Sequence, residues 1–487
     1  MRKSLLIWII SFFILTGCDI SPAKRAVASD REPLIEPDYT GITIPPNIAP
    51  LNFAIKEDAS GFFTVLSSEN SRAVKIRSGK GRIRIPQKRW KRLLDENKGG
   101  TINIDIFIRK KKGGWEQLRR ISNHIAIEPV DPYLTYRLIY PGYESWEELS
   151  IMQRSLESFS EKPVIENSLV DQNCVNCHSF NNGNSQDFLY HMRGSLGGTY
   201  FYRDGEFRKV NLKTEKMKNS AVYPRWHPSG KFVAFSSNKI IQQFHSANSN
   251  RIEVSDLESS MVLYDVTKNE MSDMKLEGCE ESMDTYPEWS PDGNYLYFCR
   301  AKKAGEVFVY SDVHYNLYRV PFDQSARETG KPELVFDASA MDKSISFPRV
   351  SPDGKYVAVT LHDYGCFPIW HREADIYLID LVTMDTLRMQ LNSDYTDSYH
   401  SWSSNGKWMA FSSRRSDGLT TRVYISGINS DGSTSKPFVV PQQDPEFYDR
   451  FLKSYNLPEL STLKIRVKPG KMRRIAKGKA ILADWSD

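Results

Sequence analysis

The sequence predicts an all-β chain built mainly as a β-propeller, and three observations carry that expectation. A hairpin with a Ser-Pro-Asp-Gly-like turn recurs four times between residues 223 and 411. The copies begin 63, 61 and 52 positions apart, which is room for one four-stranded blade and its loops. Tyr, Phe and Trp make up 12% of the 487 residues, a bias towards pleated, half-buried surfaces.

The chain opens with Met1-Arg2-Lys3 and an apolar run from Leu5 to Leu15, the charged and hydrophobic regions of a secretory signal. The run is too short to span a membrane in the mature protein. It ends in Leu15-Thr16-Gly17-Cys18, which resembles the lipobox of bacterial lipoproteins. That resemblance implies that residues 1–18 are a lipoprotein signal whose Cys18 is acylated and becomes the mature N-terminus. Each buried CH₂ contributes about 0.8 kcal/mol, so a multiply acylated Cys18 holds the protein to a membrane surface. Residues 19–38 are polar with Pro and Ala and are expected to be a tether. No acidic run follows Cys18, which favours a periplasm-facing position in the cell envelope, on the outer or the inner membrane.

Residues 39–135 alternate with period two, most clearly at Ile102, Ile104, Ile106 and Ile108. Shorter runs at Phe62–Leu66, Ala73–Ile76, Arg82–Ile85 and Ile121–Ile127 are separated by Gly-rich turns, the pattern of a small β-sandwich. Much of the basic excess lies between Arg72 and Arg120, alternating with Ile and Val; with a net charge of only +5, a solvated strand face is the expectation and nucleic acid is not an expected partner.

Residues 136–193 are expected to form a short helical segment that presents a haem-attachment motif. Ser145 to Glu148 has the form of a capping box, and Trp146, Leu149, Met152, Leu156 and Phe159 follow at helical spacing. The motif is Cys174-Val175-Asn176-Cys177-His178. Two thiols at this spacing can add to the two vinyl groups of a haem while the adjacent imidazole reaches the iron. A redox dithiol or half of a zinc site are the alternatives. Zinc would need a second ligand pair at finger-like spacing, and a dithiol a βαβ setting; the sequence offers neither. Covalent haem attachment in bacteria belongs outside the cytoplasm, so the export signal and the motif support each other. With Cys174, Cys177 and His178 holding one haem c, the sixth iron position falls to His191, or alternatively Met192, brought back over the haem by a mobile loop at Ser179–Asp187. Arg193 is placed to pair with a propionate.

Residues 194–487 hold the repeats. Tyr223-Pro224-Arg225-Trp226-His227-Pro228-Ser229-Gly230 is echoed by Tyr286-Pro287-Glu288-Trp289-Ser290-Pro291-Asp292-Gly293, by Phe347 to Gly354 and by Tyr399 to Gly406. Each copy continues into a second alternating strand, which is propeller architecture. The hairpins closely resemble those of the TolB-type propellers, which are periplasmic and six-bladed. The resemblance therefore implies six blades, with the missing ones supplied by degenerate segments such as Gly198–Thr214 and by a C-terminal stretch that closes the ring. Taken whole, lipobox, small β domain, C-x-x-C-H and repeats resemble a family of Bacteroidota lipoproteins described as TolB-like and haem-binding. This likeness implies location and fold; it supplies no reaction.

Outside the motif, Cys279 and Cys299 fall within one repeat and could pair in an oxidising compartment. His362, Asp363 and His371 flank Cys366 and could line a pocket, while His227 and His400 sit near repeat turns. With no phosphate loop or nucleophile elbow present, the expectation is an electron carrier or binding protein rather than an enzyme. The leading reading is a membrane-anchored haem protein acting in electron transfer or redox sensing, its propeller docking an envelope or redox partner. The alternative is a non-redox envelope scaffold that binds protein or peptidoglycan. Metabolic labelling with a fatty acid tests the anchor: the wild type is expected to take up label at Cys18, and label that persists in Cys18→Ser would contradict it.

Overall fold

Strands form wherever the sequence alternates, and tight turns form wherever Gly follows Pro-Ser or Pro-Asp. The computed structural model describes residues 22–142, 148–246, 250–303 and 308–486, so Cys18 and the residues 145–147 of the expected capping box lie outside it. Among the described residues, six sheets of four or five strands surround one axis. Their innermost strands are Ser454–Ser461, Cys174–Asn181, Ala221–Trp226, Ser282–Trp289, Ser344–Val350 and Asp397–Trp402, belonging to blades 1 to 6. Each contacts the next, and Cys174–Asn181 meets Ser454–Ser461 to close the ring.

Closure joins distant parts of the chain. Blade 1 takes Tyr133–Ile139, Ser150–Ser155 and Glu161–Glu166 from upstream and completes itself with Ser454–Ser461, paired antiparallel to Tyr133–Ile139. Beyond that strand, a helix at Pro469–Ala476 packs on blades 1 and 2. Ile481–Leu482 and Asp484–Trp485 then add parallel edge strands to blades 2 and 3.

The propeller therefore starts at Tyr133 rather than at residue 194, and the expected helical segment over 136–193 is β structure. Ile151 packs between blades 1 and 2 while Met152 and Leu156 pack towards the N-terminal domain. A strand buried on both faces shows apolar residues at mixed spacing, which imitates a helical stripe. The expected mobile loop Ser179–Asp187 is a hairpin: Asn182 and Gly183 have φ of 48° and 67°, the left-handed pair that an Asn-Gly turn supplies. Glycine answers the same need in the four repeat turns, at φ of 66° for Gly230, 76° for Gly293, 71° for Gly354 and 67° for Gly406.

The N-terminal domain has a seven-stranded and a three-stranded sheet sharing one core. Its strands begin inside the expected tether, where Val27–Ala28 pairs with Glu116–Gln117 and Ile35–Glu36 with Ala54–Ile55. A helix at Gln87–Glu96 was not foreseen; it buries Trp90, Leu93 and Leu94, with the Trp90 indole donating to the Ile48 carbonyl at 2.9 Å. The basic face is solvated as expected, with Arg72, Lys75 and Arg77 exposed. This core runs on into blades 1 and 6 through Trp408, Phe438 and Tyr455, so domain and propeller fold against each other.

The turn glycines make a graded test. A Cβ at Gly293 would lie 2.4 Å from the His227 imidazole, whereas at Gly406 the nearest atom is on Pro352 at 3.6 Å. Both alanine variants meet the left-handed penalty of about 1–2 kcal/mol. Gly293→Ala is expected to cost roughly 1–3 kcal/mol more through overpacking. Denaturant unfolding of the two variants checks this, and equal losses would contradict it.

Candidate functional site

Each innermost strand slips register by one residue, and the residue at the slip is left-handed in all six blades. The residues are Leu457, Cys177, Tyr223, Tyr286, Phe347 and Tyr399, with φ between 48° and 56°. None is glycine, and positive φ costs such residues about 1–2 kcal/mol each, so six equivalent occurrences mark a built feature. A bulge re-aims side chains. Here all six line one cavity at one mouth of the channel. Four make an aromatic collar, with ring centroids 4.4 Å apart for Tyr223–Tyr286, 4.7 Å for Tyr286–Phe347 and 4.6 Å for Phe347–Tyr399.

The C-x-x-C-H motif is thus the blade-2 version of the propeller repeat, with Cys177-His178 standing where Tyr223-Pro224 stands in blade 3. Cys174, Cys177 and His178 all line the cavity, whose volume is ≈ 200 Å³. Its described lining contains five arginines (Arg137, Arg193, Arg225, Arg349 and Arg414) and no carboxylate, so the mouth is polarised for an anionic group. Burial raises the Cys174 thiol, and Arg137 and Arg193 pull against that rise. Arg414 is fully enclosed, stacks 3.6 Å over Trp370 and donates to the Ile369 carbonyl at 2.8 Å; burial lowers it to about 9.

Beyond the collar the channel widens to a second chamber of ≈ 390 Å³ that carries charge. Arg225 lies 3.0 Å from Glu288 and 3.7 Å from Glu459, and Arg349 lies 3.3 Å from Glu288. Burial pushes Glu288 up to about 8 and Glu459 to about 7 against the pull of Arg225. His178 stands at the junction, lining both chambers, with its Nε2 3.8 Å from Glu459. Among the described residues neither of its ring nitrogens has a hydrogen-bond partner, as is also true of His400 in the equivalent blade-6 position; burial together with Arg225 and Arg137 lowers His178 to about 3. A buried neutral imidazole with both nitrogens unspent fits a metal-binding role.

The other expected site residues fall elsewhere. His191 is opposite Asn176 in the blade-2 ladder, with Nδ1 3.2 Å from the Thr199 hydroxyl, and burial lowers it to about 4. Met192 is fully buried between blades 1 and 2, where its sulfur accepts from the Tyr200 hydroxyl at 3.7 Å. Neither lines the cavity, because the Asn-Gly hairpin keeps them in the sheet; Arg193 does line it. Cys279 and Cys299 are unpaired and pack into different cores. His362, Asp363, His371 and Cys366 line neither chamber.

Two of those residues, His371 and Cys366, anchor an arm instead, and His362 packs behind them. The strands Phe232–Phe244 and Ile252–Asp265 of blade 3 are longer than those of any other blade, and their ends overhang the mouth with Ile240, Gln242, Phe244, Ile252 and Val254. The arm is fixed to blade 5, two blades away. His371 lies 3.1 Å from Glu253 of the arm and 3.2 Å from Glu373; the Cys366 thiol donates to the Val254 carbonyl at 3.7 Å; and His362 braces Ser346 at 2.9 Å. No sequence signal marked Glu253 or the collar as part of a site.

No family model matches the chain, and no curated protein does. Solved structures with propellers are similar in fold. Prolyl oligopeptidase B from Galerina marginata is 11% identical over 64% of this chain and 45% of its own, at a TM-score of 0.35. A Mycobacterium tuberculosis puromycin-hydrolysing peptidase is 10% identical over 82% and 57%, at 0.34. The β-propeller domain of a Myceliophteria thermophila protein is 14% identical over 55% and 88%, at 0.30. The chain spans about half the length of the two peptidases.

The latch has a defined pH dependence. Burial opposes protonation of His371, but the hydrogen bonds and charges of Glu253 and Glu373 outweigh it and raise the imidazole to about 9. A group raised above its unfolded value of about 6.5 stabilises fully below that pH and loses its contribution as pH rises through 9. The contribution is on the order of 3 kcal/mol. Unfolding measured from pH 6 to 10 is expected to show an alkaline loss that His371→Gln flattens, and an unchanged slope in the variant would contradict the latch.

Proposed function

We propose that this chain is a c-type haem protein of the cell envelope, carrying one haem on Cys174 and Cys177 at the mouth of its propeller channel with His178 as iron ligand. One observation carries the reading: both thiols and an imidazole with no hydrogen-bond partner among the described residues line one cavity ringed by aromatic side chains. The residues fit the group. Cys174 and Cys177 would each hold the group through a thioether, the thiol's sulfur and hydrogen adding across a vinyl double bond without net oxidation. Bound haem supplies one-electron chemistry. The chain supplies the rest. Tyr223, Tyr286, Phe347 and Tyr399 offer flat apolar surface to a macrocycle and keep water from it. Arg193, with Arg137 and Arg414, meets propionate charge. The low dielectric behind the collar and the guanidinium charge would tune the potential of a bound haem.

The propeller is a binding architecture, with inner strands that converge on one channel and loops free to vary. In this reading it docks a redox or envelope partner, Cys18 ties the assembly to a membrane, and the periplasm is where attachment takes place. The work is electron transfer or redox sensing.

Protein exported in a host with haem-attachment machinery tests this. The wild type is expected to keep haem through denaturing electrophoresis and Cys174→Ser/Cys177→Ser to lose it, with both remaining folded by circular dichroism. Haem-free wild type would leave the non-redox envelope scaffold as the function.

A further inference from the structure

We infer, resting on the membrane anchor at Cys18, that one end of the N-terminal domain is a docking surface for anionic lipid headgroups and that the domain stands the propeller off the bilayer. The first described residues set the geometry. Pro22 is buried, and the short turn Pro22–Lys24 packs on the strand Trp115–Gln117. Val27–Ala28 then runs parallel to Glu116 and Gln117, so the residues before Val27 lie beside the start of that strand and the turn leading into it. Pro22 follows Cys18 by four residues, and four residues reach at most about 15 Å. An acylated Cys18 therefore brings this edge of the sheet to the membrane surface.

The same end gathers cations from three separate stretches. The strand Thr101–Arg109 ends there, Arg109 pairing with Gly61 on one side and Trp115 on the other, and turns through Lys110, Lys111 and Lys112. Ser78 pairs with Phe62, which brings the turn carrying Lys80 to this end as well. Lys24 and Arg25 complete the group, and all six side chains are exposed. Asp58 lies 2.6 Å from Lys111 and Glu116 lies 3.1 Å from Lys110. Among the described residues, Lys24, Arg25, Lys80 and Lys112 form no ion pair, which leaves this end strongly positive. Beside them Val27 is 74% exposed and Trp115 half-buried, an apolar and an aromatic group of the kind that settles at headgroup depth.

The propeller is met from the opposite end. Thr43–Ile44 pairs with His124 and Ile125, across from Thr101, and contacts Arg422–Gly427 of blade 6. The Trp408 indole donates to the Glu128 carbonyl at 3.1 Å. Thr101–Arg109 runs from one end to the other, and its nine residues span roughly 30 Å at about 3.3 Å each. Anchor and cations thus share one end of this strand, and the propeller takes the other. Exposed charges act over a screening length of about 8 Å at physiological ionic strength, so the cations need the anchor to bring them within range of phosphate groups. Anionic lipid is the partner that a lipid anchor places there, and juxtamembrane lysines and arginines are drawn to it.

The test adds the full exported chain to preformed vesicles of phosphatidylcholine, alone or mixed with phosphatidylglycerol, and reads the labelling of each lysine by a membrane-impermeant amine reagent. Labelling of Lys24, Lys80 and Lys112 is expected to fall several-fold on the anionic vesicles and to recover in high salt. Lys98, at the far end of the same sheet, and Lys268 on blade 3 are both exposed and are expected to label equally on both kinds of vesicle. The triple variant Lys110→Gln, Lys111→Gln, Lys112→Gln is expected to stay anchored and to lose the protection of Lys24 and Lys80. Equal labelling of Lys24, Lys80 and Lys112 on both kinds of vesicle, with the chain still anchored, would overturn the inference and leave the anchor intact. A mature chain that intact mass shows to carry no acyl group would remove both.

Discussion

Everything at the centre of this molecule depends on one backbone constraint, the left-handed residue in the bulge of each innermost strand. Without it a strand's side chains alternate between the two faces of its blade and few point down the axis. With it, one residue per blade is turned into the channel, six times over. The strain this costs is carried by packing between neighbouring blades, and closure of the ring by Ser454–Ser461 makes that packing continuous. The collar follows from this, and so do the two chambers it separates.

The cysteine motif exploits that constraint. A C-x-x-C-H peptide on a free helix would have to make its own surroundings. On an innermost strand, Cys177 inherits the bulge position, Tyr neighbours on one side and Leu457 on the other, and His178 inherits the place at the junction. The five guanidinium groups come from blades 1, 2, 3, 5 and 6, so charge complementarity is a property of the closed ring and of no single segment. The arm of blade 3, held on blade 5 through His371 and Glu253, covers what the ring encloses.

Blades 3 to 6 were legible in the sequence because their turns need glycine at a fixed offset, preceded by a proline in blades 3 to 5 and by Ser404-Asn405 in blade 6. Blade 2 carries Asn182-Gly183 in place of that signature and Cys177-His178 in place of Tyr-Pro, so its kinship with the others shows only in the backbone. Blade 1 is split across the chain and gives no local signal at all. Cys174, Cys177 and His178 were legible as chemistry, yet their strand setting was not, and the fate of His191 turns on that difference. A loop would have let it swing over the mouth; an Asn-Gly hairpin pins it to Asn176. The tyrosines of the collar were visible as the first residue of each repeat, but convergence on one cavity requires the ring.

The most direct measurement of the central claim is an anomalous difference map at the iron edge from crystals of the exported, full-length protein. The account predicts one peak in the channel mouth, between blade 2 and the aromatic collar, within bonding distance of His178. A peak outside the channel, or a metal-free channel in protein shown to carry haem, would contradict it.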